Sequence, residues 1–232
     1  MDFFETMSFA NIDWYEIWLA SVDTFWMLGG SLLFTVVLGL PLGVLLFLPG
    51  PRQMFEQKAV YTLLSLVVNI LRSLPFIILL IVMIPLTVLI TGTSLGVAGA
   101  IPPLVVGATP FFARIAEVSL REVDHGLVEA AQAMGMSRLK MYRRILLPSA
   151  LRRALPQYSN EVIMMLQTTS LASIVTLVDI TGAARTVYSQ YYLPFEAFIT
   201  AGLFYLCLTF ILVRLFKLAE RRWLAYLAPR KS

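Results

Sequence analysis

The chain has 232 residues, of which 59% are hydrophobic and 14% charged, and its net charge is +4. Soluble domains average about a quarter charged residues and are less apolar, so this composition indicates an integral membrane protein. A single cysteine excludes an internal disulfide, and a single histidine without a Cys/His cluster argues against a metal site. We therefore predict an all-α membrane protein, a single transmembrane domain over residues 1–232, with neither a metal nor a cofactor of its own.

Five apolar segments reach the roughly 20 residues that a helix needs to cross a bilayer. They cover residues 24–48, 59–90, 97–120, 155–180 and 195–215. Pro41 interrupts the first segment, and Pro75 and Pro85 interrupt the second. Residues 1–23 carry neither Lys nor Arg, which argues against a cleavable signal peptide.

Residues 1–23 instead predict a segment lying at the membrane interface. In it, Asn11 caps a short helix with three apolar side chains on one side: Trp14, Ile17 and Trp18.

The basic residues predict the orientation of the chain. Residues 52–58, 121–153 and 214–231 contain 15 of the 18 Lys and Arg residues, and the five spans place these segments on one side. The opposite loops and the N-terminus contain a single basic residue, Arg185. Because basic loops face the cytoplasm, the N-terminus is predicted outside and the C-terminus inside. This basic surplus suits anionic lipid, and we expect no binding to nucleic acid.

The connection between the third and fourth spans, residues 121–153, predicts a helical hairpin. Asp124 suits the N-cap of a first helix, and Gly135 suits the left-handed position that ends it. Its apolar positions recur with helical spacing, at Leu127, Ala130, Ala131 and Met134. Ser137 caps a second helix through Leu147, which Pro148 ends by turning the chain back to the membrane.

Exposed alanines on the first helix would let the backbone of a partner approach closely, and Glu129 would set its register. The purely structural alternative is an amphipathic connector that lies on the bilayer surface.

This connection resembles the signature loop of permease subunits of type I ATP-binding-cassette importers. The match holds at every position of the motif: Glu129, Ala130, Ala131, Gly135, Ile145, Leu147 and Pro148. The resemblance implies a fold of five spans, N-out and C-in, in a bacterial inner membrane. It also implies that the loop forms a coupling helix in a groove of an ATPase subunit. The implied partners are ATPase subunits, a second permease subunit in a homodimer or heterodimer, and a periplasmic or lipid-anchored solute-binding protein.

Two parts of the chain resemble different amino-acid permeases. Residues 1–139 resemble methionine-type permeases, chiefly at residues 40–46, 69–80 and 106–111. Residues 140–232 resemble histidine, arginine and ornithine permeases, chiefly at residues 148–152, 158–163, 169–172 and 219–224. The polar type usually has a glutamate where this chain has Arg114, a departure that weakens the transfer of its binding site. Both resemblances imply amino-acid import, and the substrate stays open between methionine and a polar or basic amino acid.

Charged residues at membrane depth predict a candidate substrate pathway. A free amino acid is a zwitterion, so Arg72 would suit its carboxylate and Glu161 its α-amino group. The further candidates are Asn160, Thr169 and Ser170. The alternative is an internal ion pair that holds span two against span four. Arg114 and Glu117, one turn apart on span three, favour a structural pair.

The sequence contains no Gly-x4-Gly-Lys-Ser/Thr phosphate loop. ATP is therefore expected to be bound and hydrolysed by a separate subunit, so that this chain is not an enzyme and has no catalytic residues. An ATP-independent secondary amino-acid transporter is the alternative, and an inverted repeat or a relay of intramembrane carboxylates would favour it. A membrane-bound hydrolase or transferase is disfavoured because no suitable constellation of carboxylates, His or Cys occurs.

Overall fold

The computed structural model describes residues 9, 12–51, 53, 55–173 and 179–223. All regular structure in these ranges is helical, which confirms the all-α prediction. The helices are α1 (Trp14–Phe47), α2 (Lys58–Ser73), α3 (Phe76–Val82), α4 (Ile84–Thr91), α5 (Gly96–Arg121), α6 (His125–Ala133), α7 (Arg138–Met141), a π-helical segment (Tyr142–Leu146), α8 (Leu147–Ala172), α9 (Ile180–Tyr191) and α10 (Pro194–Trp223).

Three of the described helices are long and apolar enough to cross a membrane. They are α1, α5 and α10, and a fourth span results if α2 and α3 count as one interrupted crossing. The predicted fourth span corresponds to α8, which is 26 residues long but less apolar than these three. The count of five spans therefore stays a prediction.

The first helix differs from the prediction at its N-terminal end. One helix, α1, covers both the predicted interfacial helix and the first span, because residues 19–23 contain no helix breaker. The separate short helix is therefore wrong, and Asn11 lies outside the described residues. Ile17 is buried while Trp14 and Trp18 are more than half exposed, so the three side chains do not share one role. Pro41 does not end α1, whose helical assignment continues to Phe47.

The prolines of the second predicted span do break it. The helix α2 ends at Ser73, Pro75 is the N-cap of α3, and Pro85 occupies the first turn of α4. A proline in a first turn loses no hydrogen bond, because the N–H groups there have no helical acceptor. Gly92, with a φ of 77°, then ends α4.

The chain forms two compact units, each assembled from three separate segments. The first comprises Met1–Leu33, Pro75–Val105 and Ile163–Leu212, and the second comprises Phe34–Leu74, Val106–Val162 and Val213–Ser232. In the first unit, small apolar side chains of α9 pack with residues of α1 and α10. The carboxylate of Asp179 caps α9 by accepting from the Gly182 N–H (2.8 Å) and the Tyr205 hydroxyl (2.9 Å).

Close contact between α1 and α5 organises the second unit. A Cβ at Gly39 would lie 2.7 Å from the Cβ of Phe112, and a Cβ at Gly43 would overlap Ala116 and the carbonyl of Ala113. Glycine at these positions therefore lets the two backbones approach, as small residues do between membrane helices. This unit contains all of residues 121–153, which form the predicted coupling loop.

Candidate functional site: the 121–153 segment and a membrane polar cluster

Both ends of α6 are fixed by local hydrogen bonds, as the sequence predicts. At the start, the Asp124 carboxylate accepts from the Gly126 N–H at 2.9 Å. At the end, Gly135 has a φ of 70° and donates to the Gln132 carbonyl (2.9 Å), while Met136 donates to the Ala131 carbonyl (3.1 Å). This pair of bonds is a Schellman motif, in which glycine avoids the steric penalty of a Cβ. The short helix is therefore well defined at both termini.

The predicted apolar stripe of α6 divides between two faces. Ala131 is fully buried and packs with Phe47, Leu120 and Leu146, and Val128 joins this cluster. The outer face carries Leu127 and Met134, 46% and 72% exposed, together with Ala130 and Glu129. Ala131 thus anchors α6 to its own unit because the Val128–Ala131 side rests on the cluster. The prediction that the alanines share an exposed face is correct for Ala130 and wrong for Ala131.

The predicted end of the second helix at Pro148 is wrong. Ser137 is the N-cap of α7, although its side chain makes no capping bond, and α7 continues through the π-helical segment into α8. The Leu147 N–H donates to the Tyr142 carbonyl, five residues back. The change to α-helical bonding follows at once, so Pro148 lies in the first turn of α8, where a proline is tolerated.

Several residues of the motif face the interior of the second unit. Ala131 is buried, and Ile145, Leu147 and Pro148 are half-buried. Burial also raises the pKa of the Tyr142 phenol above its usual value of 10.0, an effect that the nearby Arg138 opposes. Of the predicted coupling residues, only Glu129, Ala130 and Gly135 are exposed, so the rest of the motif stabilises the segment that presents them.

A buried carboxylate organises the polar residues between α2 and α5. Glu117 is 1% exposed and accepts from Arg114, the pairing that the sequence predicts. It also accepts from Arg121, at 3.1 Å from Nε and 2.9 Å from Nη2. Arg114 reaches across to α2, where its Nη2 donates to Asn69 Oδ1 at 2.8 Å, and Arg121 stacks on Tyr61. Sequence reasoning missed Arg121, although the spacing of residues 114, 117 and 121 places all three on one helical face.

Arg72 and Glu161 belong to the same unit. The Arg72 guanidinium lies 4.9 Å from the centre of the Phe111 ring and is exposed, and Glu161 is half-buried on α8. The two side chains interact electrostatically. Both are described, yet no ion pair within 4.0 Å joins them. Asn160, beside Glu161, is exposed.

The two hydroxyl candidates lie in the first unit. Thr169 donates to the Leu166 carbonyl and Ser170 to the Gln167 carbonyl, both at 2.6 Å. These are bonds within α8, of the kind that Ser and Thr make in membrane helices. In the described ranges, no three His, Cys, Asp or Glu side chains lie close enough together to hold a metal ion.

Known proteins resemble the chain in both sequence and fold. A family model described as "Binding-protein-dependent transport system inner membrane component" matches residues 25–225. The D-methionine transport system permease protein MetI of Salmonella typhi is 56% identical over 118 residues, 51% of this chain and 54% of the relative. The histidine/lysine/arginine/ornithine transport system permease protein HisM of Salmonella typhimurium (strain LT2) is 51% identical over 112 residues, 48% of each chain. The chain thus matches about half the length of each of these relatives.

Among solved structures, an inward-facing conformation of the MetNI methionine ABC transporter (CY5 SeMet soak crystal form) superposes with a TM-score of 0.85. It is 33% identical and covers 94% of this chain and 99% of its own. An amino acid ABC transporter with histidines superposes with a TM-score of 0.70 at 25% identity, covering 88% and 90%. The two types of relative are those that the sequence predicts. The chain belongs to the family of binding-protein-dependent transport system inner membrane components.

Proposed function

We propose that the chain is the permease subunit of an ATP-binding-cassette importer that moves amino acids across the bacterial inner membrane by alternating access. The family match supports this function, as do the two amino-acid permeases and the two amino-acid transporter structures that it resembles. ATP is bound and hydrolysed by a partner subunit, because this sequence lacks a phosphate loop. Two permease subunits form the path, and a solute-binding protein delivers the amino acid.

We propose that the outer face of α6 contacts the ATPase subunit and couples it to the permease. This helix is capped at both ends and anchored through Ala131, so it can transmit a displacement without unwinding. Leu127, Ala130 and Met134 are exposed along one stripe, which suits insertion into an apolar groove of another protein. Glu129 adds a charge beside the stripe.

Copurification of the ATPase subunits with the permease tests this coupling. Glu129→Arg and Gly135→Ala should reduce both the recovered ATPase and ATP-driven uptake in reconstituted vesicles. Ser137→Ala is the matched control, because Ser137 is exposed in the same loop but its side chain makes no capping bond. Unchanged ATPase recovery and uptake in both variants would refute the docking of α6.

The proposed topology has five spans, with the N-terminus outside and the C-terminus inside. The distribution of 15 of 18 basic residues supports this orientation. At 1.5 Å per residue, the 26 residues of α8 extend about 39 Å, long enough to cross a bilayer despite their polarity. In a Cys207→Ser background, an impermeant maleimide should label Gln190→Cys in intact spheroplasts and leave Ser137→Cys unlabelled. The opposite pattern would invert the topology.

We further propose that Arg72 and Glu161 contact the carboxylate and the α-amino group of the amino acid. Their separation beyond ion-pair distance leaves both groups able to bind a zwitterion, and Asn160 adds an exposed amide beside Glu161. Thr169 and Ser170 are proposed as pathway hydroxyls from the sequence alone. The competing proposal is that Arg72 and Glu161 attract each other and hold α2 near α8.

Ligand-stimulated ATPase activity distinguishes these two roles. Arg72→Ala and Glu161→Gln should weaken this stimulation far more than assembly of the complex, if the pair binds substrate. Loss of assembly with both variants would instead support the structural role. Competition between labelled methionine and labelled arginine for uptake would identify the substrate class.

A further inference from the structure

An apolar cavity of about 280 Å³ lies in the second unit where α1 and α5 end. Phe47, the last residue of α1, and Leu120 line it from the membrane helices, and Leu139 and Tyr142 line it from the 121–153 segment. Val44, Leu48, Phe55 and Leu147 complete the apolar lining. Phe47 and Tyr142 meet edge to face, with ring centroids 6.2 Å apart. The cavity therefore lies at the ends of two helices that are long and apolar enough to cross a membrane.

Among the described residues that line this cavity, Arg143 is the one with a charged side chain. Arg143 is exposed, and among the described residues no carboxylate lies within 4.0 Å of its guanidinium. The surrounding sequence is uniformly basic, since residues 130–160 contain six Lys or Arg residues and neither Asp nor Glu. A ligand for this cavity must therefore combine a hydrocarbon body with a negative charge at one end.

The position and size of the cavity further restrict the class of ligand that it can bind. At about 280 Å³ it falls just below the range of roughly 300–1,000 Å³ that is typical of pockets for drug-sized molecules. It is thus suited to part of a slender hydrocarbon chain, and a bilayer supplies such chains. Basic residues at the membrane surface attract anionic headgroups.

We propose that this cavity binds an acyl chain of an anionic phospholipid, whose phosphate pairs with Arg143. The lipid would contact the C-terminal turn of α1 and the π-helical segment together. It would therefore hold the 121–153 segment against α1 within the second unit.

Native mass spectrometry of the full-length chain, released from nanodiscs with equal amounts of palmitoyl-oleoyl phosphatidylglycerol and phosphatidylcholine, tests this site. The wild-type chain should retain phosphatidylglycerol in preference to phosphatidylcholine. Arg143→Gln should lower phosphatidylglycerol retention by about fivefold, the contribution of one basic residue near an anionic surface. Arg144→Gln is the matched control, because Arg144 is the exposed neighbour that does not line the cavity.

Two further measurements test the acyl chain itself. Leu139→Trp should fill the cavity from an exposed position and lower retention of both lipids, with Leu139→Phe as a milder second variant. Excess glycerophosphoglycerol, the headgroup without its chains, should not displace the bound lipid. Equal retention of the two lipids, equal losses in the Arg143 and Arg144 variants, unchanged retention in both Leu139 variants, or displacement by the free headgroup would each overturn the proposal.

Discussion

Replacing Gly135 by alanine should loosen the C-terminal end of α6 without a steric clash. The φ of Gly135 is 70°, and an added Cβ would meet no atom within 4 Å, so the whole cost is backbone strain. For a residue with a Cβ, the left-handed conformation costs roughly 1–2 kcal/mol. This cost corresponds to a factor of about 5–30 in the local opening equilibrium.

Hydrogen–deuterium exchange of the Met136 amide measures this opening directly, since that N–H donates to the Ala131 carbonyl across the turn. In Gly135→Ala, the amide should exchange about 5–30 times faster than in the wild-type protein. In Gly135→Asn, the increase should be smaller, because asparagine tolerates the left-handed conformation better. Equal exchange rates in all three proteins would refute the assignment of Gly135 as a left-handed helix cap.

Three other perturbations probe the second unit. Gly43→Ala should lower the thermal unfolding midpoint of the detergent-solubilised protein, because the new Cβ overlaps Ala116. The control is Gly29→Ala, whose Cβ meets no atom within 4 Å, so that the midpoint should be unchanged or raised. Equal midpoints in the two variants would contradict the close contact of α1 with α5. Glu117→Ala should cost about 3 kcal/mol of unfolding free energy by leaving two guanidinium groups without their carboxylate, as chemical denaturation would show. Because burial raises the folded-state pKa of Tyr142, its stabilising contribution is complete below pH 10.0 and is lost as the pH rises from that value through the higher folded-state pKa; exchange protection of the π-helical segment should fall over this range, and Tyr142→Phe should abolish this pH dependence.

The parts of the fold that the sequence predicts well depend on local chemistry. Asp124 and Gly135 define the ends of α6 through bonds between residues at most five positions apart, and Pro75 and Pro85 break the second span through their own rings. The same local rule predicts that Pro148 ends the second helix, and this prediction is wrong. The rule holds for a helix interior, and the sequence does not show that a π-helical segment precedes Pro148 and places it in the first turn of α8.

The side of α6 that faces its own unit depends on residues far away in the chain. Leu127, Ala130, Ala131 and Met134 share a helical stripe in the sequence, but only Ala131 meets the cluster around Phe47. Periodicity defines an apolar face without identifying what covers it. The motif therefore predicted an interaction segment while leaving undecided which of its residues face a partner.

The sequence by itself determined the membrane class, the family and the caps of α6, because composition, motif spacing and backbone chemistry are local properties. Only the tertiary structure decided that Arg114 reaches Asn69 on α2 and that Ala131 is an anchor. It also placed Arg143 in the lining of an apolar cavity and left its neighbour Arg144 outside that lining. These outcomes depend on the contact of α5 with α1 and α2, which brings together residues that no local pattern connects.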